Sequence, residues 1–254
     1  MTVLLQADGL SRRFGGVHAV RDMALSVAEG SITGLIGPNG AGKSTLFNLL
    51  SGVIRPQSGK VTYKGGDITH LPPFKRARLG MIRTFQLSRE FGRMTVLENL
   101  MLSPQQQLGE SLWPVFMRPA AVRECDGKVH DRAEEVLEIS ALGALRDTYA
   151  ADLSGGQKKL LELARTLMID CDLILLDEPG AGVNPALMKT LTDMIRRLNR
   201  HHGKTFLLVE HDMDLIAQLC DPVVVMAQGT HLTSGTFDEI RADQTVIEAY
   251  LGRT

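Results

Sequence analysis

Residues 37–45 carry the pattern G-x-x-x-x-G-K-[ST], a glycine-rich loop that ends in lysine, serine and threonine. The run of residues 32–36 before it has the composition of a buried strand, and residues 46–50 after it have the composition of a helix. A glycine turn in this position points backbone N–H groups at one place, and the helix start adds partial positive charge. The feature predicts a nucleotide site built on an α/β core.

Each residue of this loop is a candidate for contact with phosphates. Lys43 is expected to reach the β- and γ-phosphates, and the hydroxyl of Ser44 is expected to ligate Mg²⁺. A chance glycine turn with a lysine is the alternative, which the flanking strand and helix disfavour. The candidate nucleotide-binding residues of the loop are Gly37, Pro38, Asn39, Gly40, Ala41, Gly42, Lys43, Ser44 and Thr45.

Composition limits what else the chain can be. Its 254 residues are 44% hydrophobic and 22% charged, which is ordinary for a folded protein with a full α/β core. The formal net charge of -1 gives no general positive field for nucleic acid. The 3 cysteines form no C-x-x-C pair, and no apolar run reaches the roughly 18 residues of a membrane span. We expect a protein of a reducing compartment that is neither secreted nor integral to a membrane.

Short apolar runs alternate with helical stretches, which predicts a P-loop α/β core with a mainly parallel sheet. The opening third has short strands between glycine turns, which predicts an antiparallel β subdomain. Strand signals vanish at residues 87–152, where we expect an inserted helical subdomain within a single domain of residues 1–254. The predicted parallel strands are Ser31–Ile36, Leu173–Leu176, Phe206–Val209 and Val223–Met226, and the antiparallel ones are Val3–Ala7, Met23–Val27 and Val61–Tyr63.

An apolar run at residues 173–176 leads directly into Asp177 and Glu178. Carboxylates at the carboxyl end of a buried parallel strand lie where open α/β folds bind their ligands. With a phosphate loop upstream, Asp177 is expected to hold Mg²⁺ through its water shell, and Glu178 to deprotonate an attacking water. A solvated acidic pair is the alternative, which the phosphate loop disfavours.

The segment at residues 153–157, Leu-Ser-Gly-Gly-Gln, is the second specific motif. Its serine and glutamine form a capping box for the amphipathic helix that follows. A hydroxyl and two glycine amides at a helix start also form an anion site that can bind a terminal phosphate. The two interpretations are compatible, so the candidate nucleotide contacts here are Ser154, Gly155, Gly156 and Gln157.

The phosphate loop, the Leu-Ser-Gly-Gly-Gln segment, the Leu-Leu-Asp-Glu strand and a later His211 follow one another in that order. Over essentially the whole chain the sequence resembles the ATP-binding subunits of ABC transporters. The resemblance implies a head-to-tail dimer with an identical or related ATPase subunit, in which the Ser-Gly-Gly segment of one subunit closes on ATP bound to the other. It also implies a need for ATP and Mg²⁺, transmembrane permease partners, and a peripheral location on the cytoplasmic face of the cell membrane.

Three further roles are implied by the resemblance. Phe14 resembles the aromatic residue that stacks on adenine, with a core aromatic as the alternative. Gln86 resembles the glutamine that senses Mg²⁺ and contacts the membrane partner, which makes it a candidate for both nucleotide and metal. His211 resembles the switch histidine on the γ-phosphate and joins Glu178 and Lys43 as a catalytic candidate.

Several segments are similar to a narrower group, the ATPases of branched-chain amino acid importers. We therefore expect an energy-coupling importer ATPase, with a substrate-binding protein as an indirect partner. Urea or short-amide uptake, lipopolysaccharide export and a soluble non-transport ABC protein stay open as alternatives, because the cargo does not touch this chain. A P-loop kinase would leave the Leu-Ser-Gly-Gly-Gln segment unused. The similar segments are residues 82–86, 210–213, 228–229 and 246–252, together with an Ala-Gly-Val-Asn-Pro run.

One position departs from the ABC pattern. Asn184 stands where many ABC subunits have aspartate, so the dimer-contact role of this loop is less certain. Its structural interpretation is an asparagine N-cap with Pro185 as the first helical residue.

Overall fold

The computed structural model describes residues 2–84, 90–104, 113 and 117–251. The chain divides into two compact units, each described here by itself. The second unit contains the predicted insert of residues 87–152 together with further residues, and the boundaries of the insert stay a prediction. None of the helices in the described ranges is long and apolar enough to cross a membrane. The first unit comprises Met1–Gln86, Cys171–Ala181 and Ile195–Thr254, and the second comprises Leu87–Asp170 and Gly182–Met194.

The first unit is built on two β-sheets. One is antiparallel with strand order β2-β1-β4-β5, and the other has the order β10-β9-β3-β8-β7-β6 and is parallel except for its β9–β10 pair. The predicted fold class is therefore confirmed. The strands are β1 (Val3–Phe14), β2 (Val17–Ala28), β3 (Ile32–Ile36), β4 (Ser58–Tyr63), β5 (Gly66–Asp67), β6 (Met81–Arg83), β7 (Leu173–Asp177), β8 (Thr205–Val209), β9 (Val223–Ala227) and β10 (Thr230–Gly235).

A single apolar core joins the two sheets to helix α1 (Lys43–Leu50). Every residue of β3, β7, β8 and β9 is buried, as parallel strands covered on both faces require. Strands β1 and β2 bury only part of their residues. The core includes Leu5 and Val27 from the antiparallel sheet, Phe47 from α1, and Leu175 and Val224 from the parallel sheet. This packing fixes α1 and the loop that precedes it against the strand ends.

Arg76 anchors the carboxyl end of α1. Its buried guanidinium donates hydrogen bonds to the carbonyl oxygens of Leu71 at 2.9 Å, Thr69 at 3.0 Å and Leu49 at 3.0 Å, and to that of Leu50. Burial lowers the pKa of Arg76 to about 10. Because Leu49 and Leu50 are the last residues of α1, the cation sits at the negative end of the helix dipole and satisfies carbonyls that the helix cannot.

The remaining helices begin at recognisable caps in several cases. Thr95 with Glu98 and Ser154 with Gln157 form complete capping boxes, and Asn184 accepts a hydrogen bond from Leu187 N at 2.9 Å. The predicted capping box at Ser154 and the predicted asparagine cap are both confirmed. The other helices of the described residues are α2 (Pro73–Arg78), α3 (Val96–Met101), α4 (Pro119–Ile139), α5 (Gly155–Leu167), α6 (Pro185–His202), α7 (Met213–Leu219), α8 (Phe237–Ala242) and α9 (Gln244–Leu251).

The second unit is organised around the buried amide of Asn99. Helix α3, which carries it, contacts both α4 and α5. The Asn99 side chain donates to the carbonyl oxygens of Phe91 at 3.1 Å, Met94 at 3.3 Å and Thr95 at 2.9 Å, and accepts from Phe91 N at 2.9 Å. A buried amide with its donors and acceptor satisfied fixes one loop conformation, because every alternative leaves polar atoms unpaired.

Candidate functional site

Two glycines hold the phosphate loop in place between β3 and α1. Gly37 has a φ of 153°, and a Cβ added there would lie 2.0 Å from the carbonyl oxygen of Met226. Gly42 has a φ of 101°, and a Cβ there would lie 2.1 Å from the carbonyl oxygen of Ala19. Any larger residue would collide with backbone at either position, so glycine is required by space as well as by conformation.

The amino end of α1 is open to an anion. Among the described residues no side chain caps it, and the first N–H groups of a helix have no partner within the helix. These N–H groups belong to the candidate residues Lys43, Ser44 and Thr45, where the helix dipole is positive. Ser44 is exposed and Thr45 is half-buried, while Asn39 and Gly40 at the turn of the loop are exposed. The geometry suits a phosphate group.

Lys43 lies against its own loop. Its Nζ donates to the carbonyl oxygens of Gly37 at 2.6 Å and Pro38 at 3.0 Å. Burial lowers the pKa of Lys43 from its ordinary value of 10.5, while the nearby Glu178 carboxylate acts in the opposite direction. A half-buried ammonium whose acceptors, within the described part of the chain, are carbonyl oxygens is a ready partner for an incoming phosphate oxygen.

Asp177 lies at the end of β7 and is paired with Arg83 at the end of β6. The Arg83 guanidinium donates to Asp177 Oδ2 at 2.8 Å, and the two side chains are 14% and 1% exposed. Its other terminal nitrogen donates to Asn48 Oδ1 at 2.6 Å and Ser51 Oγ at 3.1 Å, both on or just after α1. One cation therefore ties the carboxylate to the helix that follows the phosphate loop.

The residues present fit a divalent cation. Asp177 Oδ1 is buried and has no hydrogen-bond partner among the described residues. A buried carboxylate oxygen without a partner carries a desolvation cost that a metal-bound water would relieve. The hydroxyl of Ser44, exposed in the first turn of α1, adds the oxygen chemistry that Mg²⁺ prefers.

Glu178 adopts an uncommon backbone conformation immediately after Asp177. Its φ is 49°, in the left-handed region that non-glycine residues rarely occupy. The conformation is held by hydrogen bonds from Glu178 N to Val209 O at 2.9 Å and from Ala181 N to Glu178 O at 3.1 Å. Strain of this kind, of order 1–3 kcal/mol, persists where surrounding structure determines a functional position.

His211 follows β8 and is accompanied by the buried Glu210. The Glu210 side chain is 0% exposed, and its two oxygens accept from Gly180 N at 2.6 Å and from His211 N at 3.1 Å. The exposed His211 ring has its Nδ1 3.7 Å from Glu210 Oε2. Burial raises the pKa of the Cys220 thiol to about 12, and the negative charge of Glu210 adds to the rise.

The Leu-Ser-Gly-Gly-Gln segment lies in the second unit. Ser154 Oγ accepts from Gln157 N at 3.3 Å, and Gln157 Oε1 accepts from Ser154 N at 2.8 Å. Ser154 and Gly155 are exposed, whereas Gly156 is buried, and a Cβ there would lie 2.7 Å from Leu187 Cδ1. The capping bond uses the serine hydroxyl as an acceptor, so its proton stays available to a ligand.

The two remaining candidates have different outcomes. Phe14 is 47% exposed, with the guanidinium of Arg12 5.0 Å from its ring centroid. The core-aromatic alternative for Phe14 is therefore wrong. Gln86 lies outside the described residues.

Two charged residues next to these candidates, Arg83 and Glu210, are not singled out by sequence reasoning. Each directly follows or ends an apolar strand, as Asp177 does. A charged residue at the end of a buried parallel strand is the signal that could have found them. Their partners could not be found in the same way, because Arg83 and Asp177 meet only through the order of strands in the sheet.

A P-loop core with an antiparallel β subdomain and a capped Leu-Ser-Gly-Gly-Gln helix defines the class of ATP-binding cassettes. The profile of the family described as ABC transporter matches residues 20–181. The chain belongs to this family and is an ATPase of it, with nucleotide as its ligand. Within the family, a second profile, described as branched-chain amino acid ATP-binding cassette transporter, matches residues 231–254.

Relatives and solved structures agree along the whole chain. It is 42% identical to the high-affinity branched-chain amino acid transport ATP-binding protein LivG of Salmonella typhimurium, covering 98% of each chain. It is 39% identical to BraF of Pseudomonas aeruginosa, a protein of the same description, again covering 98% of each. The ADP conformation of MJ1267, an ATP-binding cassette of an ABC transporter, superposes with a TM-score of 0.83 at 33% identity, covering 99% of this chain and 100% of that one.

Proposed function

We propose that this chain is the ATP-hydrolysing, energy-coupling subunit of an importer for branched-chain amino acids. The observation that carries the proposal is the 42% identity to a branched-chain amino acid transport protein over 98% of both chains. The carboxyl-terminal match at residues 231–254 supports the same cargo class. In this role the chain is peripheral to the cytoplasmic face of the cell membrane, held there by transmembrane permease subunits, and a substrate-binding protein delivers the cargo.

Nucleotide binding begins at the phosphate loop. The N–H groups at the start of α1 and the Lys43 ammonium bind the β- and γ-phosphates of ATP, and Phe14 stacks on adenine. Ser44 and Asp177, the latter through water, would hold Mg²⁺, with Gln86 as a further ligand. When bound, Mg²⁺ neutralises charge on the β- and γ-phosphate oxygens.

Hydrolysis is an in-line displacement at the γ-phosphorus. Glu178 accepts a proton from the attacking water while the water oxygen bonds to phosphorus. The bond from phosphorus to the bridging oxygen of ADP breaks at the same time. Lys43 and His211 stabilise negative charge that develops on the transferred group. The products are ADP and inorganic phosphate, and the backbone bonds that hold Glu178 support its assignment as the base.

A second cassette completes the site. Residues 154–157 of one subunit bind the terminal phosphate of ATP held by the other, so two nucleotides close the dimer and hydrolysis reopens it. The exposed Ser154 and Gly155 at the amino end of α5 support this role, because a ligand can reach them and the start of a helix favours an anion.

The variant Glu178→Gln tests the assignment of the base. Phosphate release from ATP should fall by about 100-fold or more, because proton transfer by a positioned base contributes about that factor. The same variant should accumulate as an ATP-bound dimer in size-exclusion chromatography. Glu29→Gln is the control, because Glu29 is exposed in the turn before the amino end of β3, away from the phosphate loop. Normal turnover by Glu178→Gln would remove Glu178 from its role.

Cargo is tested by isolating the native assembly. Mass spectrometry of proteins that co-purify with the chain from gently solubilised membranes, with ATP present, should recover two permease subunits and a second ATPase. The binding protein of the same system should then bind leucine, isoleucine or valine. A lipid-export or ribosomal assembly, or a binding protein selective for urea, would overturn the cargo assignment while leaving the ATPase chemistry intact.

A further inference from the structure

Glu210 is a buried carboxylate that the proposed mechanism does not use. Among the described residues, its ion-pair contact is with the neighbouring His211, and neither lysine nor arginine is paired with it. Burying a carboxylate without a cationic partner is expensive, so a neutral residue would serve a purely structural position better. Its hydrogen bonds among those residues are both to backbone N–H groups, one from the Gly180 turn after β7 and one from its own neighbour His211.

The first of these bonds acts on the segment that carries the proposed base. Gly180 N lies 2.6 Å from Glu210 Oε1, and Gly180 is two residues after Glu178. Glu178 has the strained φ of 49°, and the turn around it is closed by the bond from Ala181 N to Glu178 O. A carboxylate fixed to Gly180 therefore holds the far side of this turn and restrains the backbone from relaxing.

The second bond acts on the proposed switch histidine. His211 N lies 3.1 Å from Glu210 Oε2, and His211 Nδ1 lies 3.7 Å from the same oxygen. The next residue, Asp212, is engaged as the N-cap of α7, where its side chain accepts from Asp214 N and Leu215 N. One carboxylate thus sets both the backbone and the ring environment of His211.

We propose that Glu210 is a positioning residue for ATP hydrolysis, one that fixes the turn of Glu178 and the switch residue His211 relative to each other through a single buried carboxylate. The inference rests on the proposed function of this site. It assigns Glu210 no contact with substrate. Its effect is on the rate of the chemical step, because small displacements of catalytic groups lose rate without losing ground-state binding.

The variants Glu210→Gln and Glu210→Asp test the proposal. The glutamine has the same shape, but its NH₂ group cannot accept an N–H, so one of the two bonds is lost. We expect kcat to fall by about 10-fold or more while KM and the Kd for ATP change by less than about 3-fold, the signature of an interaction that matters in the transition state. Aspartate keeps both acceptors and should restore part of kcat. Asp214→Asn, an exposed acid on the adjoining helix, is the matched control.

A double-mutant cycle with His211→Ala separates positioning from simple packing. If Glu210 acts through both His211 and the Glu178 turn, Glu210→Gln should cost less rate in the His211→Ala background than in the wild type, because only its effect on the turn remains there. Equal costs in both backgrounds, or unchanged kcat in Glu210→Gln, would overturn the proposal. The proposal would also be overturned if Glu210→Gln lowered the ATP affinity and the melting temperature together while kcat per bound ATP was preserved. Failure of the wild type to release phosphate would instead refute the proposed function, so the two failures are distinguishable.

Discussion

Replacing Arg83 with methionine removes the cation that compensates Asp177. The methionine keeps the apolar stem over the ring of Phe47, which the guanidinium faces at 5.7 Å. The bonds to Asn48 and Ser51 are lost together with the ion pair. What remains is a 1% exposed carboxylate whose Oδ1 already has no partner among the described residues. The variant therefore tests what a nearly buried ion pair contributes to this fold.

The expected loss follows from burial. Removing one partner of a buried pair costs roughly 3–5 kcal/mol, because the other charge is left uncompensated. A chain of this size loses about 2–4 °C of melting temperature per kcal/mol, so the transition should fall by roughly 6–20 °C. The double variant Arg83→Met/Asp177→Leu should recover at least half of that loss, since it replaces both charges with apolar groups.

Scanning calorimetry without nucleotide measures the effect, because it resolves the transition of the first unit if the two units melt separately. Lys60→Met is the control: Lys60 is paired with Asp67 at 3.7 Å, but both side chains are exposed, so its melting temperature should match the wild type. If Arg83→Met melted within about 2 °C of the wild type, or the double variant were less stable than the single one, the argument from burial would be refuted.

Two further predictions concern titratable groups. Because burial lowers the pKa of Lys43, a larger fraction of this lysine is neutral as the pH approaches 10.5 than of an ordinary lysine. Binding of ATP in that pH range should therefore take up protons and should weaken as the pH rises. Calorimetry in two buffers of different ionisation enthalpy measures this uptake, and Lys43→Arg should show none. Among the cysteines, the partly exposed Cys125 should react with a thiol reagent at pH 8. Cys171 and Cys220 are buried and should react only after unfolding, and the pKa of Cys220 is also raised to about 12. Rapid reaction of Cys220 in the native protein would contradict its burial.

The elements that sequence predicts well are those with a local signal. The phosphate loop lies between a strand and a helix, the capping box at Ser154 is complete, and Asn184 caps α6. In each case the information is contained in one short stretch of adjacent residues: turn chemistry, a cap and a short periodic run. The strand that ends in Asp177 belongs to the same group, because a continuous apolar run signals a buried parallel strand.

The elements that sequence misses depend on distant neighbours or on weak patterns. Strand β6 has three residues, too few to show periodicity, and it exists because it pairs with β7. Strand β10 is mostly polar and is recognised only by its pairing with β9. The carbonyls around Arg76 come from residues between 49 and 71, so nothing local distinguishes Arg76 from the exposed Arg78 of the same helix. All three features depend on contacts between residues that are distant in the sequence.

Strand order explains how Glu210 reaches the turn that carries Glu178. The strands β3, β8 and β7 are adjacent and parallel, so their carboxyl ends reach the same edge. Neighbouring strands are about 4.8 Å apart, which puts the phosphate loop after β3 and Glu178 after β7 about 10 Å apart across the sheet. The Glu178 carboxylate acts on Lys43 by its charge, in the direction that raises the pKa of the lysine. The end of β8 lies midway, and the buried carboxylate that follows it bonds to the Gly180 turn and to its own neighbour His211.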